Sequence, residues 1–277
     1  MLIMEDTNIE SAGNFSVFHH RMKDWEIVSV PIVAIVIAEI LLYMGKHQAG
    51  IFLHVMIPLG MAVSSMWMRE SNVSFSFEAL AMLPILRLVN ISMPVFTPMT
   101  LYLYIYIYAP LLIPVFVIAR RQRLTLKELG FTPEKLYPYI PLALVVGYLI
   151  GLGEYNTIRV GSLIPDTSPL NLLKISFVMF FFVGLVEELI FRSLLQTRLQ
   201  ASFGMTKGLV VTGALFGMMH SGYGSVYELL LTGFAGIVMG YMFQKTGSLP
   251  LIALTHGAVN VFLFGLIPLL GPGLGFF

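Results

Sequence analysis

Glu187 and Glu188 stand in the stretch Val183-Gly-Leu-Val-Glu-Glu-Leu-Ile-Phe-Arg192, behind Phe180, Phe181 and Phe182. An ionisable group inside a membrane-spanning helix costs about 2.5–3.5 kcal/mol on insertion scales, so such groups are functional candidates. Glu188 and Arg192 are four residues apart, share a helix face and are placed to pair. Glu187 points about 100° away from Glu188. Without help, the two carboxylates cannot both address one small target, which suggests a division of labour. One faces a reaction centre while the other braces helices through Arg192. His220 closes the stretch Phe216-Gly-Met-Met-His220, with Phe216 one turn before it and Gly217, Gly222 and Gly224 leaving room nearby. In His256-Gly-Ala-Val-Asn260 an imidazole and an amide again share one helix face. That pair suits an oxyanion hole, and equally half of a metal site.

These groups are of the kinds that general acid–base and oxyanion chemistry use. Peptide hydrolysis needs a general base that works near neutral pH, and burial raises the basicity of carboxylates in general. Donors aimed at a developing oxyanion are worth about 3–4 kcal/mol each. No serine or aspartate constellation of similar quality is present. Asp166 lies in a loop far from Asp6 and Asp24, so an aspartyl dyad has no support. The chain has no cysteine, which removes disulfides, cysteine zinc sites and thiol nucleophiles together. Glu187, His220 and His256 could hold a zinc with one open position. There is no His-Glu-x-x-His motif, and ligand considerations favour no cofactor over zinc.

These groups must be positioned by helices in lipid. Of the 277 residues, 57% are hydrophobic and 11% charged, against roughly 25% charged in a soluble domain. The formal net charge of +1 gives no footprint for nucleic acid. A span needs about 20 mostly apolar residues. Candidates lie near 27–43, 49–68, 79–97, 101–119, 136–152, 170–195, 208–221, 227–243 and 249–268. The expected fold is all-α, a polytopic transmembrane helix bundle with eight or nine membrane segments and its catalytic core in the C-terminal helices. The weakest segment is 79–97, with Arg87, Asn90, Pro84 and Pro94, and 208–221 is short. The first stretch has no small-x-small pattern at Leu41–Met44 and reads as a retained helix. The chain divides into a polar tail (1–26), N-terminal spans with a basic loop (27–135) and a catalytic core (136–277).

The loop at 120–135 holds Arg120, Arg121, Arg123, Lys127 and Lys135 against Glu128 and Glu134. The positive-inside rule places it in the cytoplasm. The loop 153–169, with Glu154, Arg159 and Asp166, fits the outside, and 196–207, with Arg198 and Lys207, fits the inside. Nine spans put the N-terminal tail inside and eight put it outside; nine is preferred. The alternating run Leu101–Tyr108 reads as a strand by period. An open strand in lipid leaves its backbone unsatisfied, so it is expected to start a helix, with tyrosines near an interface. Three Gly-xxx-Gly pairs, 147/151, 213/217 and 236/240, are expected at helix contacts.

Helix rise gives the depth of each group above the expected cytoplasmic turns. Glu187 lies about 18 Å up, His220 about 21 Å and His256 roughly 13 Å. Three helices therefore bring polar groups to similar heights, and the cavity is expected to open towards the cytoplasmic side. His19, His20, His47 and His54 read as surface or packing histidines. Glu39 and Arg87 read as bundle-facing or near helix ends, without a defined role.

On Glu187-Glu188-Leu-Ile-Phe-Arg192, Phe216-Gly-Met-Met-His220 and His256-Gly-Ala-Val-Asn260, the chain resembles the CAAX protease and bacteriocin-processing (CPBP; Rce1/Abi) family. The family's ordered motifs are Glu-Glu-xxx-Arg, Phe-xxx-His and His-xxx-Asn, and order and spacing agree throughout. The motifs cover roughly 170–265, while residues 1–130 add no further match. The resemblance implies an intramembrane endopeptidase in which Glu187 and His220 activate water, and His256 with Asn260 stabilises the oxyanion. Glu188, Arg192 and Phe216 would support them. Its substrate would be a peptide or protein at the membrane lipid, prenylated or otherwise anchored, and its place a multi-pass protein of the cell membrane if prokaryotic. A zinc-dependent version of the protease, a non-catalytic scaffold of the same family and a proton-coupled transporter are the alternatives.

Overall fold

The computed structural model describes residues 23–68, 71–96, 100–133 and 136–275. The tail before Lys23, with His19, His20 and Arg21, and the loop residues Glu134 and Lys135 lie outside the described residues. Among those described the chain is helical, with no strand. Eight helices are long and apolar enough to cross a bilayer. They are α1 (Asp24–Tyr43), α2 (His47–Trp67), α3 (Asn72–Phe96), α4 (Leu103–Arg121), α5 (Tyr137–Ile158), α6 (Pro169–Phe203), α8 (Val226–Thr246) and α9 (Leu249–Leu270). Between α6 and α8 lies α7 (Met205–Met218), of 14 residues. It reaches about 21 Å, short of a hydrocarbon core of roughly 30 Å. Of the nine expected segments, 208–221 is thus the one that fails on length. The doubtful 79–97 belongs to a helix of 25 residues. Its prolines are accommodated as in other spanning helices, where neighbouring groups re-satisfy the freed backbone.

Two local expectations are corrected. The tyrosine run does become helical from Leu103, but its side chains divide. Tyr102 and Tyr106 are exposed, whereas Tyr108 is buried in the bundle. In a helix, residues four apart share a face that a period-two reading cannot assign. Glu154, placed in an outside loop by sequence, is a buried residue of α5. The Thr157 hydroxyl of the same helix donates to another buried carboxylate, Glu228 of α8.

The helices run alternately between two ends. At one end the 122–133 segment ties helix termini together. Arg121 pairs with Glu78 at 2.8 Å, and Arg198 Nε donates to Gln122 Oε1 at 2.7 Å. Ser193 Oγ donates to the Leu129 carbonyl at 2.6 Å, and the Leu249 amide to the Gly130 carbonyl at 2.7 Å. Lys23, Arg120, Arg123, Lys127, Lys207 and Lys245 are exposed at this basic end, beside Arg121 and Arg198. Lys46, Arg159 and Lys174 follow or begin helices at the opposite end. Although short, α7 leaves the basic end, and its extension through 219–225 delivers the chain to the far end, where α8 begins. It packs antiparallel on α8, the most extensive helix contact of the molecule.

Helix α9 lies at the centre. Of its apolar window 78% is buried within the protein, against 22–39% for the other spans. The three Gly-xxx-Gly pairs all lie at close helix contacts: 147/151 against α9, 213/217 against α8, and 236/240 against α7 and α6. Helices α1, α2 and α3 pack on one another as a unit that meets the rest through α3 and through α1, which touches the 221–223 turn, the end of α6 and α7.

Candidate active site

Helix α6 carries the two glutamates on a short α-helical piece, Leu185–Glu188. Wider π-helical stretches, Val178–Gly184 and Leu189–Gln196, flank it. Such i→i+5 turns occur frequently at functional sites. Glu188 is fully buried and accepts from Arg192 Nε at 2.6 Å through one oxygen. Its other oxygen is 2.8 Å from His256 Nδ1. On the other side of the same imidazole, Nε2 lies 3.7 Å from Glu187 Oε2. The two carboxylates therefore do address one group, because an imidazole presents nitrogens on opposite edges. This is the help that helix geometry alone could not supply. A hydroxyl from α4, Tyr108, donates to Glu187 Oε1. The approach of α9 to α6 depends on Gly257, where a Cβ would stand 1.9 Å from Phe180 Cδ1.

Phe216 lies between the two histidines. Its ring centroid is 5.0 Å from that of His220 and 5.7 Å from that of His256. The Arg192 guanidinium sits 5.2 Å over the same ring, a cation–π arrangement. Its Nη1 and Nη2 have no hydrogen-bond partner among the described residues. His220 follows the last turn of α7, and its Nδ1 is 2.8 Å from the Phe216 carbonyl. Asn260, one turn beyond His256, is buried with its Nδ2 unpartnered among the described residues.

Glu187 and His220 both line one cavity of about 320 Å³, together with residues of α3 and α4 such as Asn90 and Tyr104. His256 and Asn260 are not part of its lining. The structure thus splits the expected set. Glu187 and His220 face the cavity, His256 stands behind Glu187, and no hydrogen bond links Asn260 to the others. The cavity floor is made by buried residues, Leu86, Phe191 and Tyr108, and its rim by exposed ones, Pro94, Gly222 and Tyr223. The rim belongs to the end of the bundle away from the basic loop. Heights of about 20 Å pass the middle of a core of roughly 30 Å.

Sequence reasoning missed a second polar cluster that holds the His220 turn. Arg87 Nε and Nη2 donate to the two oxygens of Glu39 at 2.8 and 2.6 Å. The same Nη2 donates to the Met219 carbonyl at 2.5 Å and lies 3.3 Å from Ser221 Oγ. Ser221 Oγ in turn donates to Glu39 at 2.6 Å, and His54 Nε2 is 3.2 Å from Glu39. Met219 and Ser221 are the two neighbours of His220. The available signal was the presence of Glu39 and Arg87 in apolar stretches, since a buried charge implies a buried partner. Tyr108 was legible only by reading the tyrosine run as a helix with an inward face.

Among the described residues no group of three or more His, Asp or Glu side chains converges as a metal site would. Glu187, His220 and His256 do not converge as a zinc site in this arrangement.

Residues 169–262 match the family model described as type II CAAX prenyl endopeptidase Rce1-like. This segment is similar to that family. The match runs from the start of α6 into α9 and so contains Glu187, Glu188, Arg192, Phe216, His220, His256 and Asn260. The Rce1-like family is one of proteases, and it is this segment that resembles it. No curated protein and no solved structure matches the chain. The Arg87–Glu39 cluster and Tyr108 lie outside the Rce1-like segment.

Proposed function

We propose that the protein hydrolyses a peptide bond of a membrane-associated polypeptide, with Glu187 as general base. The observation that carries this reading is that Glu187, backed by Tyr108 and His256, faces the same cavity as His220. A water between Glu187 and His220 loses a proton to the Glu187 carboxylate as its oxygen attacks the scissile carbonyl carbon. The proton then passes to the leaving nitrogen as the C–N bond breaks, giving a carboxylic acid and an amine. Positioned acid–base catalysis of this kind contributes about 10²–10⁴-fold. His220 orients the water. His256 Nε2 and the free Nδ2 of Asn260 are the donors available to the oxyanion. His256 Nδ1–H donates to Glu188, so Nε2 donates to the oxyanion when the ring is the doubly protonated imidazolium. Arg192 holds Glu188, and Phe216 spaces the two histidines.

The test is cleavage of quenched peptides, prenylated and unmodified, by the purified full chain. Wild type should cleave, and Glu187→Gln and His220→Ala should not. Cleavage by both variants at the wild-type rate would remove the assignment. Activity that disappears with a chelator and returns with zinc would replace the glutamate mechanism by the metal-dependent one. A wild type that cleaves nothing while capturing a partner would favour the scaffold.

A further inference from the structure

The cavity that Glu187 and His220 line has a second polar wall, on α3. Arg87 and Asn90 both belong to its lining, three residues apart and so on one helix face. Neither lies in the segment 169–262, and the acid–base steps proposed above use neither. The Arg87 charge reaches the His220 ring, and its guanidinium bonds to the residue on each side of that histidine. A peptide in the cavity therefore meets hydrogen-bonding groups of α3 beside the reacting pair.

Arg87 is 6% exposed. An arginine carries five N–H donors in a fixed fork. Those on Nε and Nη2 go to Glu39, the Met219 carbonyl and Ser221. Nη1 has no hydrogen-bond partner among the described residues. Unlike the Arg192 nitrogens it is not sealed within the bundle, so its open side is the cavity. A Cβ at Gly222 would stand 3.7 Å from this Nη1. Gly222 leaves the edge uncovered, and a longer side chain there would lie over it. Because its neighbours pin the rest of the guanidinium, the donor keeps its aim at little further cost in side-chain entropy. Asn90 is half-buried, and its side chain also has no hydrogen-bond partner among the described residues. Its amide offers an acceptor oxygen and two N–H donors, the complement of a peptide group.

We propose that Arg87 Nη1 and the Asn90 amide form a subsite that holds main-chain carbonyl oxygens of the substrate beside the scissile bond. The identity of the occupant rests on the protease reading above, whereas the presence of the free donors does not. An uncharged acceptor fits this wall better than a carboxylate. The Arg87 charge is already countered by the bidentate Glu39. Glu187, acting as base, places a negative charge in the same cavity. A carbonyl oxygen takes the N–H edge without adding another. Carbonyls within a helix are already engaged by N–H groups four residues on, so the subsite takes unwound chain and reads its backbone rather than its side chains.

The test uses the purified full chain and a capped, uncharged quenched peptide, with cleavage and binding both measured. Binding is also read in a Glu187→Gln background. Asn90→Leu removes the amide at similar size. Gly222→Leu covers Nη1 and leaves the Glu39 pair intact. Arg87→Lys keeps a charge against Glu39 and lacks Nη1. Each should raise KM about tenfold at nearly constant kcat and weaken binding by a similar factor, roughly the worth of one hydrogen bond. Gly222→Leu should add nothing to Arg87→Lys, because both remove the same donor. A further loss there would make the leucine a plug and take Nη1 out of the subsite. Unchanged KM and binding in Asn90→Leu and Gly222→Leu would overturn the proposal. So would a fall in kcat at constant KM, which would put these donors on the oxyanion, or a loss confined to peptides bearing a carboxylate. If wild type cleaves nothing but its peptide binding depends on both residues, the protease reading fails and the subsite stands. If wild type does not bind the peptide, both fall.

Discussion

Two carboxylate–guanidinium pairs are buried in this bundle, and they are built differently. Glu188–Arg192 lies within one helix of the Rce1-like segment and uses a single bond, Nε to Oε2. Glu39–Arg87 joins two helices outside that segment and is bidentate. Each pair has surplus capacity, and each directs it at a histidine. The spare oxygen of Glu188 takes His256 Nδ1. The spare valences of Arg87 and Glu39 take Met219 and Ser221 on either side of His220. The local pair orients a ring, and the long-range pair pins the turn that bears one. A family signature confined to 169–262 therefore contains the first device and only the target of the second.

Four measurements would sharpen or break that comparison. The largest effect belongs to the group both devices serve. Glu187→Gln should lower kcat by about 10²–10⁴-fold, the share of positioned acid–base catalysis, with the unfolding midpoint in detergent little changed. A variant within twofold of wild type would leave both devices serving something other than this base.

Next come the pairs themselves. Arg192→Met and Arg87→Met each strand a buried carboxylate and should each destabilise by about 3–5 kcal/mol in thermal or denaturant unfolding. The charge-free doubles Glu188→Leu/Arg192→Met and Glu39→Leu/Arg87→Met should recover most of that stability, because replacing both charges of a buried pair is often neutral. Activity should stay low in both doubles. In the second, amide exchange across 219–223 should also quicken while that of α9 stays slow. If the Glu39/Arg87 double regains full activity, the pair is helix glue and the comparison fails.

Smaller is the effect of crowding the α6–α9 contact. Gly257→Ala puts a Cβ into the Phe180 ring and should cost about 1–3 kcal/mol as overpacking. A concomitant loss of kcat would show that the His256–carboxylate spacing is set there. The smallest change is Ser221→Ala, which removes one hydroxyl link and should cost about 1 kcal/mol. Its kcat should fall less than that of the Arg87 variants.

Much of this was legible in the sequence, for identifiable reasons. Hydropathy and length mark spans independently of tertiary contact, so the helical class and eight of the expected segments follow directly. The pairing of Glu188 with Arg192 is local and follows from helix period. Partners far apart in the chain do not. Arg87 reaches Glu39 across 48 positions and Met219 across 132, and no periodicity encodes such meetings. The reach of both glutamates to one imidazole was hidden because helix spacing does not show that one ring offers nitrogens on two edges; nor does it show the widening of α6 on either side of them.

That widening has a consequence for how the chain can vary. A π-helical turn holds an additional residue within the helical hydrogen-bond ladder. Deleting one residue between Val178 and Gly184 would let the ladder tighten. Everything beyond the cut would then turn by about 100° relative to what precedes it. Glu187 and Glu188 would leave His256 together, while Phe180 kept its place against Gly257. In this segment the number of residues is held more tightly than their identity. Apolar exchanges at the lipid-facing Phe181 should pass, whereas single-codon deletions should not.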